Sequence, residues 1–329
     1  MAGINMLITG GAGFIGSHLI DALLKEEKFE IYCIDNFDPF YAESVKRQNL
    51  AYALTHPAFH LYETDLSTTS HNELLKIFKG VSFQSIVHLA ARAGVRPSIE
   101  HAKSYYDSNV LSTLNLLEFA RHAKIQRFIF ASSSSVYGNN PNVPWKETDL
   151  LHQPISPYGA TKLAAEELGL VYARLYEMQL ITLRLFTVYG PRQRPDLAIH
   201  RFYNLISKQR PITMYGDGQT MRDYTYVSDI VSGIQGAMNY KGTDNTIFNL
   251  GDSRQVSLIQ LVQTLETAMQ KKAIINRQPE QPGDVPQTYA DISKAGSLLG
   301  YHPKVMLEEG IQRFVEWKQK EKRMGHAIQ

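Results

Sequence analysis

The first sixteen residues constrain the fold more than any other part of the sequence. A short apolar run over 6–9 leads into a turn that contains three glycines, Gly10, Gly13 and Gly16. An amphipathic stretch over 17–25 follows the turn. This order predicts a strand, a tight turn and a helix, with backbone N–H groups at the positive end of the helix free to bind a phosphate.

The second apolar run makes this interpretation more specific. It covers 29–34 and ends in Asp35. An acidic residue at this distance beyond a glycine turn is typical of the carboxylate that binds the ribose of a dinucleotide. The alternative is an ordinary glycine-rich turn followed by a surface aspartate. The sequence therefore predicts a dinucleotide-binding unit at its N-terminus.

Composition excludes several classes of partner. The 329 residues carry a formal net charge of +2 and no block of lysine or arginine, which argues against binding of nucleic acid or of a membrane surface. No apolar run is long enough for a membrane span, and the first strand begins too early for a signal peptide. The single cysteine, Cys33, is expected to be a buried, inert thiol. We therefore expect a cytoplasmic protein.

Strand and helix patterns alternate through the first half of the chain. Strands are predicted over 59–64, 85–91, 126–131 and 180–185, and helices over 72–78, 105–122 and 157–177. This alternation predicts an α/β fold with a doubly wound parallel Rossmann sheet. His88, inside a predicted strand, is interpreted as a hydrogen-bonded core residue. The histidines show no metal-binding spacing, so no metal site is predicted.

The pattern of predicted strands and helices changes from Thr187 onward. The segments become shorter and less regular, which predicts a smaller C-terminal α/β lobe for the substrate. A helix over 225–239 and a strand over 246–250 are predicted to return to the main sheet, whereas helices over 258–269 and 307–318 belong to the lobe. The predicted cofactor-binding domain therefore covers 1–186 and about 223–254, and the predicted second lobe about 187–222 and 255–329.

The candidate catalytic residues follow the fifth predicted strand. Ser133 lies at its end, and Tyr158 and Lys162 lie four residues apart on one face of the next helix, which begins at Pro157 with Ser156 as its cap. A lysine ammonium beside a phenol favours the phenolate, and a tyrosine base at neutral pH needs about 4 kcal/mol of such stabilisation. A surface Tyr–Lys pair is the alternative.

Taken together, these motifs resemble those of the extended short-chain dehydrogenase/reductase family. The resemblance rests on the Thr-Gly-Gly-Ala-Gly-Phe-Ile-Gly turn, on Tyr158-Gly-Ala-Thr-Lys162, and on Arg222-Asp-Tyr. Within that family the chain is most similar to the UDP-glucuronate 4-epimerases. Three stretches indicate this subgroup, Asp35-Asn-Phe-Asp-Pro-Phe-Tyr41, Ala91-Arg-Ala-Gly-Val-Arg-Pro-Ser98 and Arg184-Leu-Phe-Thr-Val-Tyr-Gly-Pro-Arg192.

The resemblance implies a reaction and a cofactor. Phenolate Tyr158 would take the proton of the sugar 4-hydroxyl while hydride passes from carbon 4 to NAD, and hydride would return to the other face of a 4-keto sugar. UDP-glucuronate and UDP-galacturonate would thus interconvert without net oxidation. Asp35 favours NAD over NADP, because a carboxylate repels a 2′-phosphate. The resemblance also implies a homodimer through the helices over 105–122 and 157–177.

The resemblance assigns a set of residues to the cofactor. Asp35 and Asn36 would bind the ribose, Asp65 and Leu66 the adenine, and Ala90 would lie near the pyrophosphate. The full set of implied cofactor-binding residues is Gly10, Gly13, Phe14, Ile15, Gly16, Asp35, Asn36, Asp65, Leu66, Leu89, Ala90, Ala91, Asn109, Tyr158 and Lys162.

A second set is assigned to the substrate. Dehydratase and decarboxylase relatives carry acidic residues where this chain has Ser134 and Ser135, and these hydroxyls can donate to a sugar carboxylate. Thr187 stands where glucose-type epimerases have asparagine. The remaining candidates are Arg96, Arg192 and Arg194 for negative groups, Arg222 for the diphosphate, Thr213 and Tyr215 beside the uracil, and Asp284 for the uridine ribose.

Several alternatives stay open at this point. Arg192 and Arg194 could be solvated loop charges, Thr187 a strand terminator, and Thr213 and Tyr215 packing residues of the lobe. Gln281 departs from the arginine of glucose-type epimerases, which leaves that diphosphate contact open. The competing functions are a UDP-glucose or UDP-N-acetylhexosamine 4-epimerase, a related reductase, and a non-catalytic NAD-binding relative.

Overall fold

The computed structural model describes residues 3–150, 153–279, 285–323 and 325. Its strands are β1 (Ile4–Thr9), β2 (Phe29–Asp35), β3 (Phe59–Glu63), β4 (Ser85–His88), β5 (Arg127–Ser133), β6 (Gln179–Leu185), β7 (Thr187–Tyr189), β8 (Ile212–Tyr215), β9 (Met221–Tyr226), β10 (Thr246–Leu250), β11 (Gln255–Ser257) and β12 (Ile275–Gln278). Its α-helices are α1 (Phe14–Leu24), α2 (Glu43–Asn49), α3 (His71–Ile77), α4 (Val95–Glu100), α5 (Ala102–Tyr106), α6 (Ser112–His122), α7 (Pro157–Leu175), α8 (Ala198–Ser207), α9 (Val227–Met238), α10 (Leu258–Met269), α11 (Ser293–Leu299) and α12 (Leu307–Arg323).

A seven-stranded parallel sheet forms the centre of the fold, in the order β10-β6-β5-β4-β1-β2-β3. Successive side chains of a strand point to opposite faces. On β1, Met6 and Ile8 therefore pack into one apolar cluster and Leu7 into another. The first cluster includes side chains of α1, α9 and α12, and the second includes side chains of α3, α6 and α7. The predicted doubly wound α/β fold is confirmed.

Smaller sheets lie beyond β6. β8 pairs with β12, and β9 lies between β7 and β11. β10 returns to the main sheet beside β6, as the sequence predicted for the strand over 246–250. One apolar cluster includes both Leu19 of α1 and Phe314 of α12. The division into two lobes stays a prediction.

Some predicted boundaries are wrong. The single helix expected over 105–122 is interrupted by a π-helical turn at Asp107–Leu111. The helix expected from 225 begins at Val227, because the preceding residues pair as β9 with β7 and β11. β4 ends at His88 rather than at 91, and the helices α2, α4, α8 and α11 were not predicted.

Two buried residues behave as the sequence suggested. The His88 ring hydrogen-bonds Thr9 Oγ1 at 2.7 Å and Thr113 Oγ1 at 3.0 Å, which confirms a core histidine. Burial, followed by the charge of Lys162, lowers the pKa of His88 to about 3. Cys33 is fully buried and unpaired. Among the described residues, no helix has both the length and the apolar character needed to cross a membrane.

Candidate active site

One cleft opens at the carboxyl ends of the central strands. This is the edge where a doubly wound sheet binds its ligands. Residues from the ends of β1, β2, β4, β5 and β6 contribute to its wall. The predicted site residues on this wall are Gly10, Gly13, Phe14, Ile15, Gly16, Asp35, Asn36, Asp65, Leu66, Leu89, Ala90, Ala91, Ser133, Ser134, Ser135, Tyr158, Lys162 and Thr187.

The glycine turn between β1 and α1 has no room for a side chain at Gly10 or at Gly16. Gly10 has a φ of +71°, and a Cβ atom there would lie 2.7 Å from the backbone nitrogen of Ala90. A Cβ atom on Gly16 would lie 2.3 Å from the carbonyl oxygen of Gly10. α1 begins directly after Gly13, and the N–H groups of a first helical turn have no partner within the helix. The turn therefore forms a close-packed cradle that suits a pyrophosphate.

Asp35 closes the other side of this cradle. Its carboxylate accepts hydrogen bonds from the N–H of Ala12 at 3.0 Å and from the N–H of Phe37 at 2.9 Å. Burial raises its pKa, which these two bonds and the charge of Lys46 oppose. Each carboxylate oxygen has a second lone pair, so both can still accept a ribose hydroxyl. Asp35 thus holds the glycine turn in addition to its predicted role.

Asn36 and Asp65 connect the ends of β2 and β3. Asn36 Nδ2 donates to Asp65 Oδ2 at 3.0 Å. The second oxygen of Asp65 accepts from the backbone N–H and the hydroxyl of Ser67. These bonds fix two predicted cofactor-binding side chains side by side on the wall of the cleft.

The candidate catalytic residues meet where β5 approaches α7. Ser156 caps α7 by accepting from the N–H of Gly159 at 3.1 Å, and Pro157 occupies the first turn, as predicted. Tyr158 is held by its backbone N–H, which donates to Ser98 Oγ at 3.1 Å. Lys162 Nζ donates to the carbonyl oxygen of Ala131 at 2.9 Å. The sequence therefore identified a group of residues that the fold brings together.

Burial dominates the electrostatics of this group. It raises the pKa of Tyr158, against the hydrogen bond from Ser133 and the charge of Arg194. It lowers the pKa of Lys162 to about 7, against the charge of Glu166. Burial therefore disfavours both the phenolate and the ammonium. An additional positive charge in the cleft would favour the phenolate of Tyr158.

The arginines of the loop after β7 point in different directions. Arg194 lines the cleft, where its Nη2 donates to the Ala93 carbonyl oxygen at 3.0 Å and pairs with Asp196 at 2.7 Å. Arg192 forms an ion pair with Asp21 of α1, at 2.7 Å between Nη2 and Oδ2. Arg194 is therefore the arginine of this loop that the structure places on the cleft wall.

Other predicted substrate residues that the structure describes are not part of this wall. The Arg96 guanidinium lies over the ring of Tyr215, 4.6 Å from its centroid, so these two candidates are brought together. Thr213 is on the same strand, β8, two residues earlier. Arg222, on β9, donates to the Met221 carbonyl oxygen at 2.8 Å. The predictions on Gln281 and Asp284 lie outside the described residues.

Asn109 has a different place from the other cofactor candidates. It is buried in the π-helical turn, where its Oδ1 accepts from the N–H of Arg92 at 2.8 Å. Its Nδ2 donates to the Arg92 carbonyl oxygen and to Thr161 Oγ1, both at 3.0 Å. Asn109 thus joins the loop after β4 to α7. Its predicted direct contact with the cofactor stays a prediction.

The sequence analysis did not predict one charged part of the cleft wall, which contains Asp38, Phe40 and Arg92. Asp38 forms an ion pair with Arg92 at 3.0 Å, and its carbonyl oxygen accepts from Lys46 Nζ at 2.8 Å. The ring of Phe40 lies beneath the guanidinium groups of Arg92 and Arg194, at 5.9 and 5.4 Å. Asp38 and Phe40 belong to the sequence motif that follows Asp35, but the pairing of Asp38 with Arg92 depends on the fold.

One cluster of metal-ligand types lies elsewhere in the described part of the chain. His71, Glu118 and His122 place their ligand atoms within 4.8 Å of one another. The two rings are stacked, 4.7 Å apart and 7° from parallel, so their lone pairs do not converge. Glu118 already accepts from the Tyr172 hydroxyl and lies 3.5 Å from Arg121. This arrangement supplies no argument for a metal ion.

Comparisons with known proteins identify the family of this chain. The family model described as GDP-mannose 4,6 dehydratase matches residues 7–314. The chain is 40% identical to a UDP-glucuronate 4-epimerase of Thermodesulfobacterium geofontis, over 94% of this chain and 95% of that protein.

Two solved structures are similar to this chain over nearly its whole length. The crystal structure of UDP-glucuronic acid 4-epimerase from Bacillus cereus, in complex with UDP-glucuronic acid and NAD, superimposes with a TM-score of 0.90 at 37% identity. It is matched over 96% of this chain and 99% of that one. UDP-glucose 4-epimerase of Thermotoga maritima, with UDP-glucose, gives a TM-score of 0.87 at 33% identity, over 97% and 100% of the two chains.

Proposed function

Because the chain belongs to the GDP-mannose 4,6 dehydratase family of short-chain dehydrogenase/reductase-type enzymes, we infer its activity from the cleft and from these relatives. The protein is an NAD-dependent UDP-sugar 4-epimerase that interconverts UDP-glucuronate and UDP-galacturonate. The observation that supports this most is the cleft itself. Its wall combines the glycine turn and Asp35 with Ser133, Tyr158 and Lys162.

The cleft suits NAD by its shape and its charge. The glycine turn excludes side chains at Gly10 and Gly16, which leaves room for a pyrophosphate at the start of α1. The buried carboxylate of Asp35 favours a free ribose 2′-hydroxyl over a 2′-phosphate. When bound, NAD supplies a hydride acceptor and donor with a positive charge in its oxidised ring.

We propose that Tyr158 is the base that takes the proton from the 4-hydroxyl of the sugar. Burial holds its pKa above the ordinary value, so the phenolate needs positive charge nearby. Ser133, which hydrogen-bonds Tyr158, would bind the same substrate oxygen. Lys162, fixed to the Ala131 carbonyl oxygen, would contribute its ammonium charge below its pKa of about 7. Tyr158 would return the proton when the 4-keto sugar is reduced on its other face.

The preference for an acidic sugar is proposed from the polar side chains around Thr187. Ser134, Ser135 and Thr187 offer hydroxyl groups to the cleft, and Arg194 adds a half-buried positive charge. A carboxylate binds such donors well, whereas a buried carboxylate in place of Ser135 would repel it. The alternative is a UDP-glucose or UDP-N-acetylhexosamine 4-epimerase. The similarity to the UDP-glucose 4-epimerase of Thermotoga maritima favours UDP-glucose as the substrate to compare.

The nucleotide end of the substrate is proposed to lie against the predicted second lobe. Arg96 and Tyr215 are already in contact there, and Thr213 is on the same strand. Arg222 is proposed to bind the diphosphate and Asp284 the uridine ribose, both from family resemblance. Arg192, paired with Asp21, is proposed to hold the loop against α1.

A homodimer is proposed through the outer faces of α5, α6 and α7. Large apolar side chains are exposed there, with Tyr106, Val171 and Leu175 at 56%, 48% and 65% of full exposure. Val171 and Leu175 lie four residues apart on one face of α7, and exposed apolar side chains of this kind suit a protein–protein interface. A cytoplasmic location is also proposed, since the lone cysteine is buried and unpaired.

The test is product analysis by NMR after separate incubation with UDP-glucuronate and with UDP-glucose, without added cofactor. We expect UDP-glucuronate to be converted into UDP-galacturonate and UDP-glucose to remain unchanged. Turnover without added cofactor would also show that NAD copurifies. Y158F should lose turnover while it retains NAD. Turnover of UDP-glucose alone would contradict the acidic-sugar assignment, and no turnover with either sugar after NAD is added would favour a non-catalytic relative.

A further inference from the structure

A buried ion pair lies directly behind the candidate catalytic residues. Glu166 follows Lys162 by one turn of α7, and Arg184 lies on the neighbouring strand β6. Arg184 Nη2 donates to Glu166 Oε2 at 2.8 Å, and its Nε donates to Oε1 at 3.1 Å. The two side chains are only 5% and 3% exposed. This two-bond geometry fixes the carboxylate in position as well as in charge.

The pair is connected to the serine loop on both sides. Ser132, next to Ser133, donates its hydroxyl to Glu166 Oε1. Arg184 Nη1 donates to the Tyr137 hydroxyl oxygen at 3.1 Å, which links it to the 3₁₀ turn that contains Ser134 and Ser135. One buried network therefore holds the end of β5, the serine turn and α7 in a single arrangement.

Tyr137 extends the network to the edge of the sheet. Its hydroxyl donates to Asn249 Oδ1 on β10 at 2.7 Å. Asn249 Nδ2 in turn donates to the Trp145 carbonyl oxygen at 2.9 Å. The network is thus anchored on strands at both of its ends, so the ion pair has little freedom to move.

The negative charge of Glu166 also affects the protonation of Lys162. Lys162 is buried among the Ala131 carbonyl oxygen, the Phe130 ring and His88, whose low pKa keeps it neutral. Glu166 raises the pKa of Lys162 against the effect of burial. Tyr158 is the other titratable side chain on the face of α7 that carries Lys162 and Glu166.

Stability alone gives little reason for such an arrangement. Desolvation of two charges offsets most of their attraction, and well-packed apolar residues in their place are often as stable. The hydrogen bond from Ser132 to Glu166, and the position of Glu166 one helical turn after Lys162 on α7, point to a role in the reaction instead.

We propose that Glu166, oriented by Arg184, is a positioning residue for epimerisation that favours the ammonium form of Lys162 and holds Ser133 in register with Tyr158. The proposal rests on the roles proposed above for Ser133, Tyr158 and Lys162. Glu166 itself lies behind these residues and acts through them.

The experiment compares pH profiles of kcat and KM for UDP-glucuronate in four holoenzymes: wild type, E166Q, the double variant E166L/R184M, and E167Q. Glu167 is the matched control, because it is the adjacent carboxylate on α7 and is exposed. Loss of the Glu166 charge should move the alkaline limb, at which Lys162 loses its proton, to lower pH. At pH 8.5 we expect a loss in kcat of about 10-fold, with KM nearly unchanged.

The double variant separates the charge effect from folding. It replaces the ion pair by apolar side chains, so it should melt close to wild type and still show the displaced limb. If E166Q and the double variant have the limb of wild type and E167Q, Glu166 is structural only and the proposal is wrong. Wild type and Y158F are measured in the same assay. A wild-type protein without turnover, or a Y158F protein that retains turnover, would contradict the proposed function itself.

Discussion

Lys162 illustrates how a group proposed to act in catalysis can reduce the stability of its own fold. Its ammonium is buried beside Phe130 and donates to the Ala131 carbonyl oxygen at 2.9 Å. Replacement by methionine, K162M, keeps the length and the apolar character of the side chain and removes the charge. We therefore expect K162M to be more stable than wild type near neutral pH and to lose epimerase activity.

The magnitude follows from the pKa of Lys162. Burial lowers this pKa from 10.5 to about 7, so between these values the unfolded chain binds more protons than the folded chain. The penalty is fully present below pH 7 and is lost as the pH rises toward 10.5. It amounts to about 4 kcal/mol at pH 7 and about 2 kcal/mol at pH 9. Loss of the hydrogen bond to Ala131 costs about 1 kcal/mol, which leaves a net gain of about 3 and about 1 kcal/mol.

The assay is urea unfolding of both proteins after removal of NAD, at pH 7 and at pH 9. The quantity compared is the difference in unfolding free energy between K162M and wild type, because other titrating groups cancel in that difference. It should decrease by about 2 kcal/mol between the two pH values. A difference that is independent of pH, or a K162M protein less stable than wild type at pH 7, would refute the reasoning.

Three further predictions concern binding, specificity and assembly. G16A should lose at least about 10-fold in NAD affinity, because its Cβ atom would lie 2.3 Å from the Gly10 carbonyl oxygen. G296A, whose Cβ atom would meet nothing closer than 3.6 Å, should bind NAD like wild type in the same titration. R194M should reduce kcat/KM for UDP-glucuronate by about 100-fold, and an equal loss with UDP-glucose would contradict a carboxylate contact. L175D should give a monomer in light scattering if the exposed face of α7 forms the dimer, and an unchanged mass would exclude that face.

Local patterns predicted the elements that depend on short stretches of sequence. The glycine turn needed only the spacing of Gly10, Gly13 and Gly16, because steric limits on φ and on Cβ contacts act between near neighbours. The N-terminus of α7 needed only Ser156 and Pro157, because a helix cap is a local interaction. The strands of the central sheet were predicted from apolar runs, because both faces of a parallel sheet are buried.

Contacts between distant segments were beyond these patterns. The π-helical turn at Asp107–Leu111 contains Asn109, which bonds Arg92 and Thr161 on other elements. The helix expected from 225 was shortened by strand pairing of β9 with β7 and β11. Long-range pairing of this kind overrides local propensity, and it has no signal in a window of a few residues.

The sequence by itself determined the fold class, because the glycine turn and the alternation of strands and helices are local patterns. It indicated the family and NAD through a resemblance of motifs, and it predicted Ser133, Tyr158 and Lys162 as the catalytic residues. Only the tertiary structure decided that Arg194 lines the cleft while Arg192 pairs with Asp21. It also decided that Glu166 faces Arg184 and Ser132 behind Lys162. The physical reason is that desolvation and ion pairing act through space, so the charge state and the partner of a buried group are set by the segments that the fold packs around it.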